Sequence, residues 1–303
     1  MMNIAALYTC HNRKEKTLAS LRSLFSSTLV YNDSSKDKIE LSVFLTDDGC
    51  TDDTAGAIRS SFPNNDIHII QGNGELYWAG GMRVAWNAAI HSQIEWDYYL
   101  LLNDDTELKD ECLIELFSAQ SFCKSSYGRC GIISGITCSK DNPQLVTYGG
   151  DVLTNRLTGK SRRLNISGKP QMIDMTNANI LLVPQTVVEE IGIFYERFQH
   201  GRADSDYALT ARRHNIPVLI TGDVCGYCEN DHGNLRELRD KIIAMELDKR
   251  KAFFAHPLHS AQDYMLLVRR HFPVKYPMTV IFRFVNIYFP RLYYTITLRR
   301  LDN

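Results

Sequence analysis

The chain has 303 residues, which allows one large domain or one domain with an appendage, and its 44% hydrophobic and 23% charged composition is ordinary for a soluble globular protein. A formal net charge of −1 argues against nucleic-acid binding through overall charge, so any recognition of anions must be local. The eight cysteines are scattered and the sequence opens without a secretory signal, so we expect free thiols in a reducing cytoplasm.

The first half of the sequence alternates between strand-like and helical patterns. Apolar runs predict strands over residues 4–9, 41–46, 67–70, 98–102 and 132–137. Apolar residues three or four apart predict helices over residues 14–25, 53–62, 82–91 and 108–124. This alternation is typical of a mainly parallel sheet with helices on both faces, whose right-handed crossovers bring the C-terminal ends of the strands to one edge.

The middle of the chain changes character, and its end is helical. The predicted elements are a hairpin over 147–164, strands over 175–183 and 217–221, and helices over 204–214, over 235–254 and from residue 257 onward. We therefore divide the chain into a main domain over residues 1–233 and a helical C-terminal extension over residues 234–303.

The tail over residues 275–300 is rich in Phe, Tyr, Ile and Leu, but Arg283, Asn286, Pro290 and Arg291 make it a poor membrane-spanning helix. Two interpretations remain open. The tail packs on the body or on another subunit, which gives a homo-oligomer. Alternatively, it lies in a membrane interface with its aromatic and basic residues at headgroup level, which gives a peripheral contact with the cytoplasmic face of the inner membrane.

Acidic side chains follow the three leucines at 100–102, where the fourth predicted strand ends. At the C-terminal mouth of a strand, they stand where open α/β sheets bind ligands. Because side chains alternate along a strand, we expect Asn103 and Asp105 to point to one side and Asp104 to the other. Hard oxygen ligands at this position suit Mg²⁺ or Mn²⁺. The alternative is an ordinary turn, because Asn and Asp are common turn residues.

Two further segments follow strands of the same predicted sheet. Asp47, Asp48 and Gly49 end the second strand, where an Asp can hold a base or a ribose hydroxyl and Gly permits close backbone approach. A capped turn before the next helix is the alternative. The glycine-rich segment over residues 71–82 opens into a helix, whose N-terminus favours a diphosphate. These loops and the acidic strand end are expected to converge on one edge of the sheet.

Two polar segments lie far downstream. Asp204 and Asp206 stand at the start of a predicted helix, where the helix dipole stabilises acidic residues in any protein. An ionised Asp is also able to accept a proton at pH 7. His232 is predicted to lie in a loop, where a His is usually a surface residue unless it joins Asp105 on one metal ion.

Together and in this order, these segments resemble the family 2 glycosyltransferases with a GT-A (Rossmann-like) fold, over about residues 4–232. The segment Tyr8 to Arg13 resembles the opening strand and its Asn-Arg turn, and Thr46 to Asp52 resembles the V-D-D-G-S-T-D element that holds the nucleotide. Trp78 to Met82 and Leu102 to Thr106 resemble the A-G-G segment and the D-x-D metal motif of the rhamnosyltransferase-like branch. Gly201 to Tyr207 resembles the acceptor-side E-D-x-D segment.

The resemblance implies a role for each matching residue. The residues implied in nucleotide-sugar binding are Thr9, Asn12, Arg13, Asp47, Asp48, Gly49, Trp78, Gly80, Gly81, Asn103 and Asp104. Asp105 and His232 would hold a divalent cation, Mn²⁺ or Mg²⁺, that neutralises charge on the leaving diphosphate. Asp204 would deprotonate the acceptor hydroxyl, with Asp206 as the competitor, since Ala203 stands where the family has Glu. Asn103 replaces the first Asp of D-x-D, so the ribose contact there is uncharged.

The function that the resemblance implies is metal-dependent, inverting transfer of a hexosyl or deoxyhexosyl group. The donor would be a UDP- or dTDP-linked sugar, and the acceptor a hydroxyl of a saccharide or lipid-linked saccharide in bacterial O-antigen or capsule assembly. A sugar nucleotidyltransferase is disfavoured because residues 9–13 contain no glycine, whereas such enzymes usually have a glycine-rich loop there. A non-catalytic nucleotide-sugar-binding module would keep Asp47 without needing Asp204. We expect no nucleic-acid partner.

Overall fold

A computed structural model gives the fold and describes residues 1–230 and 235–298. The strands are β1 Met2–Cys10, β2 Ile39–Asp47, β3 Ile67–Gln71, β4 Tyr98–Leu102, β5 Glu107–Leu108, β6 Ile132–Cys138, β7 Val146–Tyr148, β8 Gly150–Asn155, β9 Lys160–Arg163, β10 Gln171–Met172, β11 Met175–Thr176, β12 Ile180–Pro184 and β13 Val218–Tyr227. The helices are α1 Lys14–Ser34, α2 Thr54–Ser61, α3 Tyr77–Ile90, α4 Cys112–Tyr127, α5 Gln185–Ile191, α6 Ala203–Arg213, α7 Leu235–Ala244, α8 Leu247–Ala255, the 3-10 helix Pro257–His259, α9 Ala261–His271, α10 Tyr276–Tyr288 and α11 Pro290–Leu298.

The main sheet has the strand order β10-β13-β6-β12-β4-β1-β2-β3, and β5 and β7 extend it by pairing with β13 and β6. β3, β2, β1 and β4 pair in parallel, β12 runs antiparallel between β4 and β6, and β13 is parallel to β6. The predicted α/β fold with a mainly parallel sheet and a helical C-terminus is therefore confirmed. A second, three-stranded sheet, β11-β8-β9, contains the predicted hairpin as β8 and β9.

The central strands are buried on both faces, which explains why they read as continuous apolar runs. Alternate residues of β1 enter two separate cores. Leu7 packs in the core that contains Trp86 of α3, whereas Tyr8 packs in the core that contains Leu21 of α1 and Leu116 of α4. Helices thus cover both faces, and only the ends of the strands are left to form a site.

The C-terminal ends of the parallel strands meet at one edge of the sheet. Cys10 at the end of β1 pairs with Asp47 at the end of β2, and Leu102 ends β4 on the other side of β1. The turns that follow these three strands therefore lie next to one another, as the sequence predicts.

Several element boundaries differ from the predicted ones. α3 begins at Tyr77, five residues earlier than predicted, so Gly80 and Gly81 lie inside a helix rather than in a glycine-rich loop. The predicted strand over residues 175–183 is divided into β11 and β12 by residues 177–179. The predicted helix over residues 235–254 is two helices, α7 and α8.

The C-terminal extension packs against the main domain through α9. Leu267, Val268 and Phe272 are buried in the same apolar core as Trp86 of α3 and Tyr207 of α6. Within residues 1–230 and 235–298, no helix is both long and apolar enough to cross a bilayer.

Candidate active site

A cavity of about 540 Å³ opens beside the C-terminal ends of β1 and β4. The predicted site residues that line it are Arg13, Trp78, Asn103, Asp104, Asp105 and Asp204. The other predicted residues in the described part of the main domain belong to neighbouring strand ends, turns and helices: Thr9, Asn12, Asp47, Asp48, Gly49, Gly80, Gly81 and Asp206. One cavity thus connects the acidic strand end to the start of α6.

The acidic strand end forms a turn, which was the alternative interpretation of this segment, and its residues Asn103, Asp104 and Asp105 line the cavity. The N–H of Thr106 donates to the carbonyl of Asn103 at 3.2 Å, which closes the turn. Because the backbone turns after Leu102, strand alternation does not continue. The prediction that Asp104 and Asp105 point to opposite sides is wrong.

Asp104 and Asp105 share one cationic partner, Arg13. Its Nη1 donates to Asp105 Oδ2 at 2.7 Å and to Asp104 Oδ1 at 3.3 Å. Asp104 is buried, and this burial raises the pKa of its carboxyl to about 7, with Asp105 adding to the rise and Arg13 opposing it. Asn103 faces another neighbour, since its Oδ1 accepts a 2.8 Å hydrogen bond from Trp78 Nε1.

The carboxylates of Asp104, Asp105 and Glu229 line the same cavity, and their hard oxygen atoms suit Mg²⁺ or Mn²⁺. Among the side chains of residues 1–230 and 236–297, no three of His, Cys, Asp or Glu are grouped so that they would hold a metal ion. His232, the second predicted ligand, lies outside the described residues. The carboxylate oxygens are therefore of the type that the predicted cation prefers. That Asp105 binds this cation stays a prediction.

The Asp47-Asp48-Gly49 turn ties β2 to the start of α3. The Asp48 carboxylate accepts hydrogen bonds from the N–H groups of Gly74 (2.8 Å), Leu76 (3.0 Å) and Tyr77 (3.1 Å). These bonds satisfy N–H groups that a helix start leaves unpaired, which explains the early start of α3. Asp47 Oδ1 accepts a bond from the N–H of Cys50 at 2.8 Å.

The turn after β1 is held against the turn after β2. Asn12 has a left-handed backbone, with φ 52°, and its Oδ1 accepts hydrogen bonds from the N–H of Thr51 at 2.7 Å and from its hydroxyl at 3.1 Å. Thr9 is buried under α3, where a Cβ added at Gly81 would lie 2.0 Å from Thr9 Oγ1. Gly81 is therefore needed for close packing of α3 on β1, which is a structural reason for the glycine.

Asp204 lies in the first turn of α6, at the wall of the cavity that Arg13 also lines. Its Oδ2 accepts from the N–H of Ala178 at 3.2 Å and its Oδ1 from the N–H of Ser205 at 2.7 Å. Burial raises the pKa of the Asp204 carboxyl, and these two hydrogen bonds oppose the rise. A carboxylate with a raised pKa is a stronger base than an ordinary Asp.

Asp206 points into the protein interior instead. Its Oδ1 accepts hydrogen bonds from Arg270 Nε and from His271 Nε2, both at 2.7 Å, and its side chain is 3% exposed. Arg270 also lies over the ring of Tyr195, 3.9 Å from the ring centroid. Asp206 therefore fastens α6 to α9, and of the two carboxylates only Asp204 is among the cavity-lining residues.

Sequence reasoning missed several residues of the cavity wall. Asn177 and Asn179 line it from the break between β11 and β12, and His259 lines it from the extension. The two Asn residues within an apolar stretch were a signal for that break. Asp263 of α9 was also missed, and its buried carboxylate accepts N–H hydrogen bonds from the loop over residues 199–201.

Comparison with known proteins gives one curated relative, and no protein-family model matches the sequence. The relative is the low-salt glycan biosynthesis hexosyltransferase Agl10 of Haloferax volcanii, which is 24% identical over 168 residues. The match covers 54% of this chain and 52% of the relative, so the chain spans about half the length of the relative that it matches.

Solved structures share the fold over most of the chain. The mannosyltransferase PcManGT from Pyrobaculum calidifontis, in complex with GDP-Man and Mn²⁺, matches with a TM-score of 0.53 at 13% identity, covering 98% of this chain and 79% of that one. S. aureus TarS 1–349 in complex with UDP-GlcNAc matches with a TM-score of 0.52 at 14% identity, covering 95% and 81%. These similarities confirm the GT-A fold, and the rhamnosyltransferase-like branch stays a prediction.

Proposed function

We propose that this chain, which has the GT-A fold, is a glycosyltransferase that moves a sugar from a nucleoside diphosphate-sugar to a hydroxyl group. The observation that carries the proposal is one cavity whose wall contains Arg13, Asp104 and Asp105 together with Asp204. A group suited to a diphosphate and a group suited to accept a proton thus face the same space. The bound ligands of the two solved structures, GDP-Man and UDP-GlcNAc, support a donor of this class.

The donor would lie over the turns that follow β1, β2 and β4. The Arg13 guanidinium offers a planar set of N–H donors that suits a phosphate. The turns that contain Asn12 and Asp47 are joined by the hydrogen bonds from Thr51 to Asn12, so the nucleotide would meet a preformed surface. Trp78, fixed by its hydrogen bond to Asn103, would border the sugar. A UDP- or dTDP-linked sugar is the proposed donor.

Asp105 and His232 would hold Mn²⁺ or Mg²⁺, a cation that neutralises negative charge on the leaving diphosphate. The Mn²⁺ in the similar mannosyltransferase structure supports a divalent cation. Asp104 is buried next to Asp105 and would support it.

Asp204 is the proposed general base. Its carboxylate would take the proton of an acceptor hydroxyl, whose oxygen forms a bond to the anomeric carbon as the bond to the diphosphate oxygen breaks. The bonding electrons leave with the nucleoside diphosphate, and attack from the opposite side inverts the anomeric configuration. The raised pKa of Asp204 supports this role, because a proton-accepting group works best when its pKa approaches the working pH.

The proposed acceptor is a saccharide or lipid-linked saccharide of bacterial surface polysaccharide assembly. The name of the Haloferax relative, a glycan biosynthesis hexosyltransferase, supports a role in building a glycan. The acceptor would enter past Tyr148, Asn177 and His259, which line the cavity and belong to elements other than the proposed donor turns.

A turnover assay tests the proposal. The full chain is incubated with Mn²⁺ and a panel of UDP- and dTDP-linked sugars, and release of nucleoside diphosphate is measured with and without saccharide acceptors. We expect release with at least one donor and loss of at least 100-fold in Asp204→Asn, the usual scale for a general base. Asp223→Asn is the matched control, since Asp223 is an exposed carboxylate on β13.

The alternatives give different results in the same assay. Pyrophosphate release from a nucleoside triphosphate and a sugar phosphate would identify a sugar nucleotidyltransferase and contradict the proposal. Donor binding without release of diphosphate from any donor would identify a binding module. Equal activity in Asp204→Asn and Asp223→Asn would remove Asp204 from the mechanism.

A further inference from the structure

One side of α10 and α11 exposes large apolar side chains to solvent. Met278, Ile281, Phe284 and Tyr288 recur at helical spacing on α10, and Leu292 and Ile296 continue onto α11. These six residues, here called the apolar stripe, are each between 42% and 54% exposed. Core residues of the same types are nearly inaccessible. Tyr288 at the end of α10 and Leu292 on α11 line one shallow pocket, which connects the two parts of the stripe. Large exposed apolar patches are typical of interaction sites.

Along the chain segment that contains the apolar stripe, the charge is of one sign. Between residues 264 and 301 the sequence has seven Lys and Arg residues and no Asp or Glu, although the whole chain has a net charge of −1. Arg269 and Arg291 are exposed, whereas Arg270 and Arg283 hydrogen-bond to the protein itself. The adjoining helices α7 and α8 carry both signs of charge, with Lys and Arg outnumbering Asp and Glu. The region around the stripe is therefore basic on balance and complementary to an anionic partner.

A second basic element adjoins the extension. Gly159, at the tip of the β8–β9 hairpin, lies against the ring of Phe272, so closely that a Cβ there would meet a ring carbon at 2.8 Å. Lys160 and Arg162 of the same hairpin are exposed. The segment that follows Phe272 leads directly into α10. The β8–β9 hairpin and the C-terminal segment, two separate parts of the chain, thus both carry positive charge on the side of the stripe where α10 begins.

We propose that the apolar stripe and its basic surroundings are a docking surface for a bilayer that contains anionic phospholipids. Exposed aromatic and aliphatic side chains on a helix, flanked by Lys and Arg, suit the boundary between headgroups and acyl chains. A second copy of the chain fits less well, because two such surfaces would bring like charges together. This inference rests on the surface alone and is independent of the proposed sugar transfer.

Flotation of the full chain with lipid vesicles tests the proposal. The probes are vesicles of phosphatidylcholine alone and vesicles of phosphatidylcholine with about one third phosphatidylglycerol. We expect binding to the anionic vesicles that weakens as salt is raised, since screening reduces surface electrostatics. The Ile281→Asp/Phe284→Asp variant should bind at least tenfold more weakly. Lys160→Gln/Arg162→Gln should weaken binding by about fivefold for each charge that contacts the surface.

The matched control is Leu29→Asp/Leu145→Asp, which adds the same charge at two other apolar residues, 65% and 55% exposed, and should bind like the wild type. The proposal would be overturned if the chain bound neither kind of vesicle. It would also be overturned if Leu29→Asp/Leu145→Asp weakened vesicle binding as much as Ile281→Asp/Phe284→Asp does. A third contradicting outcome is that the chain binds no vesicles and forms a dimer in light scattering, and that Ile281→Asp/Phe284→Asp dissociates this dimer. The stripe would then be a contact between two copies of the chain.

Discussion

Asp263 connects the C-terminal extension to the wall of the cavity, and we predict that Asp263→Asn weakens both stability and acceptor use. Its buried carboxylate accepts hydrogen bonds from the backbone N–H groups of Gln199 (3.2 Å), His200 (2.8 Å) and Gly201 (3.0 Å). The carbonyl of Gln199 in turn accepts a hydrogen bond from the N–H of Ala79 at 3.1 Å. One side chain of α9 thus holds the loop before the proposed base and, through it, the first turn of α3.

The size of the effect follows from the number of bonds. Asn at position 263 keeps one carbonyl oxygen, which can accept the bonds that Oδ2 now accepts from His200 and Gly201. Its amide NH₂ then faces the N–H of Gln199, and an unpaired buried N–H costs about 1–3 kcal/mol. The two bonds that remain lose the contribution of a charged acceptor. We therefore expect the free energy of unfolding to fall by about 2–4 kcal/mol.

Two measurements check this prediction. Urea unfolding gives the change in stability, and initial rates give KM for donor and acceptor separately. The acceptor KM should rise severalfold. The donor KM should change less, within about twofold, because the donor turns follow β1, β2 and β4 and only Trp78 at their border lies on the first turn of α3. Asp248→Asn on α8, whose side chain is 96% exposed, is the control and should change stability by less than about 0.5 kcal/mol. If Asp263→Asn behaves like this control, the loop does not depend on α9.

Three further predictions concern the surroundings of the cavity. Asp206→Asn should lower the free energy of unfolding by about 1–3 kcal/mol in urea. Its carbonyl oxygen can still accept the bonds from Arg270 and His271, but the negative charge that they share is lost. A change below about 0.5 kcal/mol would contradict this. Burial raises the pKa of Asp204, and a general base must be ionised to accept a proton, so kcat/KM should fall as the pH drops through that raised pKa. If kcat/KM instead fell only at or below the ordinary Asp pKa of about 3.9, Asp204 would not be the base. Gly81→Ala should lower the free energy of unfolding by about 1–3 kcal/mol, measured with heat or urea, because its Cβ would lie 2.0 Å from Thr9 Oγ1. The control is Gly80→Ala, where the nearest atom to the added Cβ is 3.4 Å away. Equal stability of the two variants would contradict the packing argument.

The sheet was predictable because its strands are buried on both faces. Continuous apolar runs identify β1, β2 and β4 without knowledge of their neighbours, and the loops after them converge because the strands are parallel. The start of α3 was not predictable in this way. Two glycines in its first turns lower its helix propensity, and the cap that compensates is Asp48, which lies on a different loop.

The site was predictable at the level of segments but not of side-chain directions. Motifs placed Arg13, Asp105 and Asp204 around one cavity, and the structure brings all three together there. Asp104 and Asp105 both contact Arg13 because the backbone turns after Leu102. The alternation of side chains along a strand does not predict the side-chain directions in such a turn. The burial of Asp206 depends on Arg270 and His271, which are more than 60 residues further along the chain. Interactions at such separation leave no local pattern.

The division of the cavity into a donor end and an acceptor end is the central claim, and calorimetric titration of nucleoside diphosphate with Mn²⁺ tests it most directly. The wild type, Asp105→Ala and Asp204→Asn are titrated under the same conditions with the diphosphate of the best donor. We predict that Asp105→Ala raises Kd by at least tenfold, about 1.4 kcal/mol, whereas Asp204→Asn leaves Kd within about twofold of the wild type. Unchanged binding in Asp105→Ala, or equal weakening in Asp204→Asn, would contradict the claim.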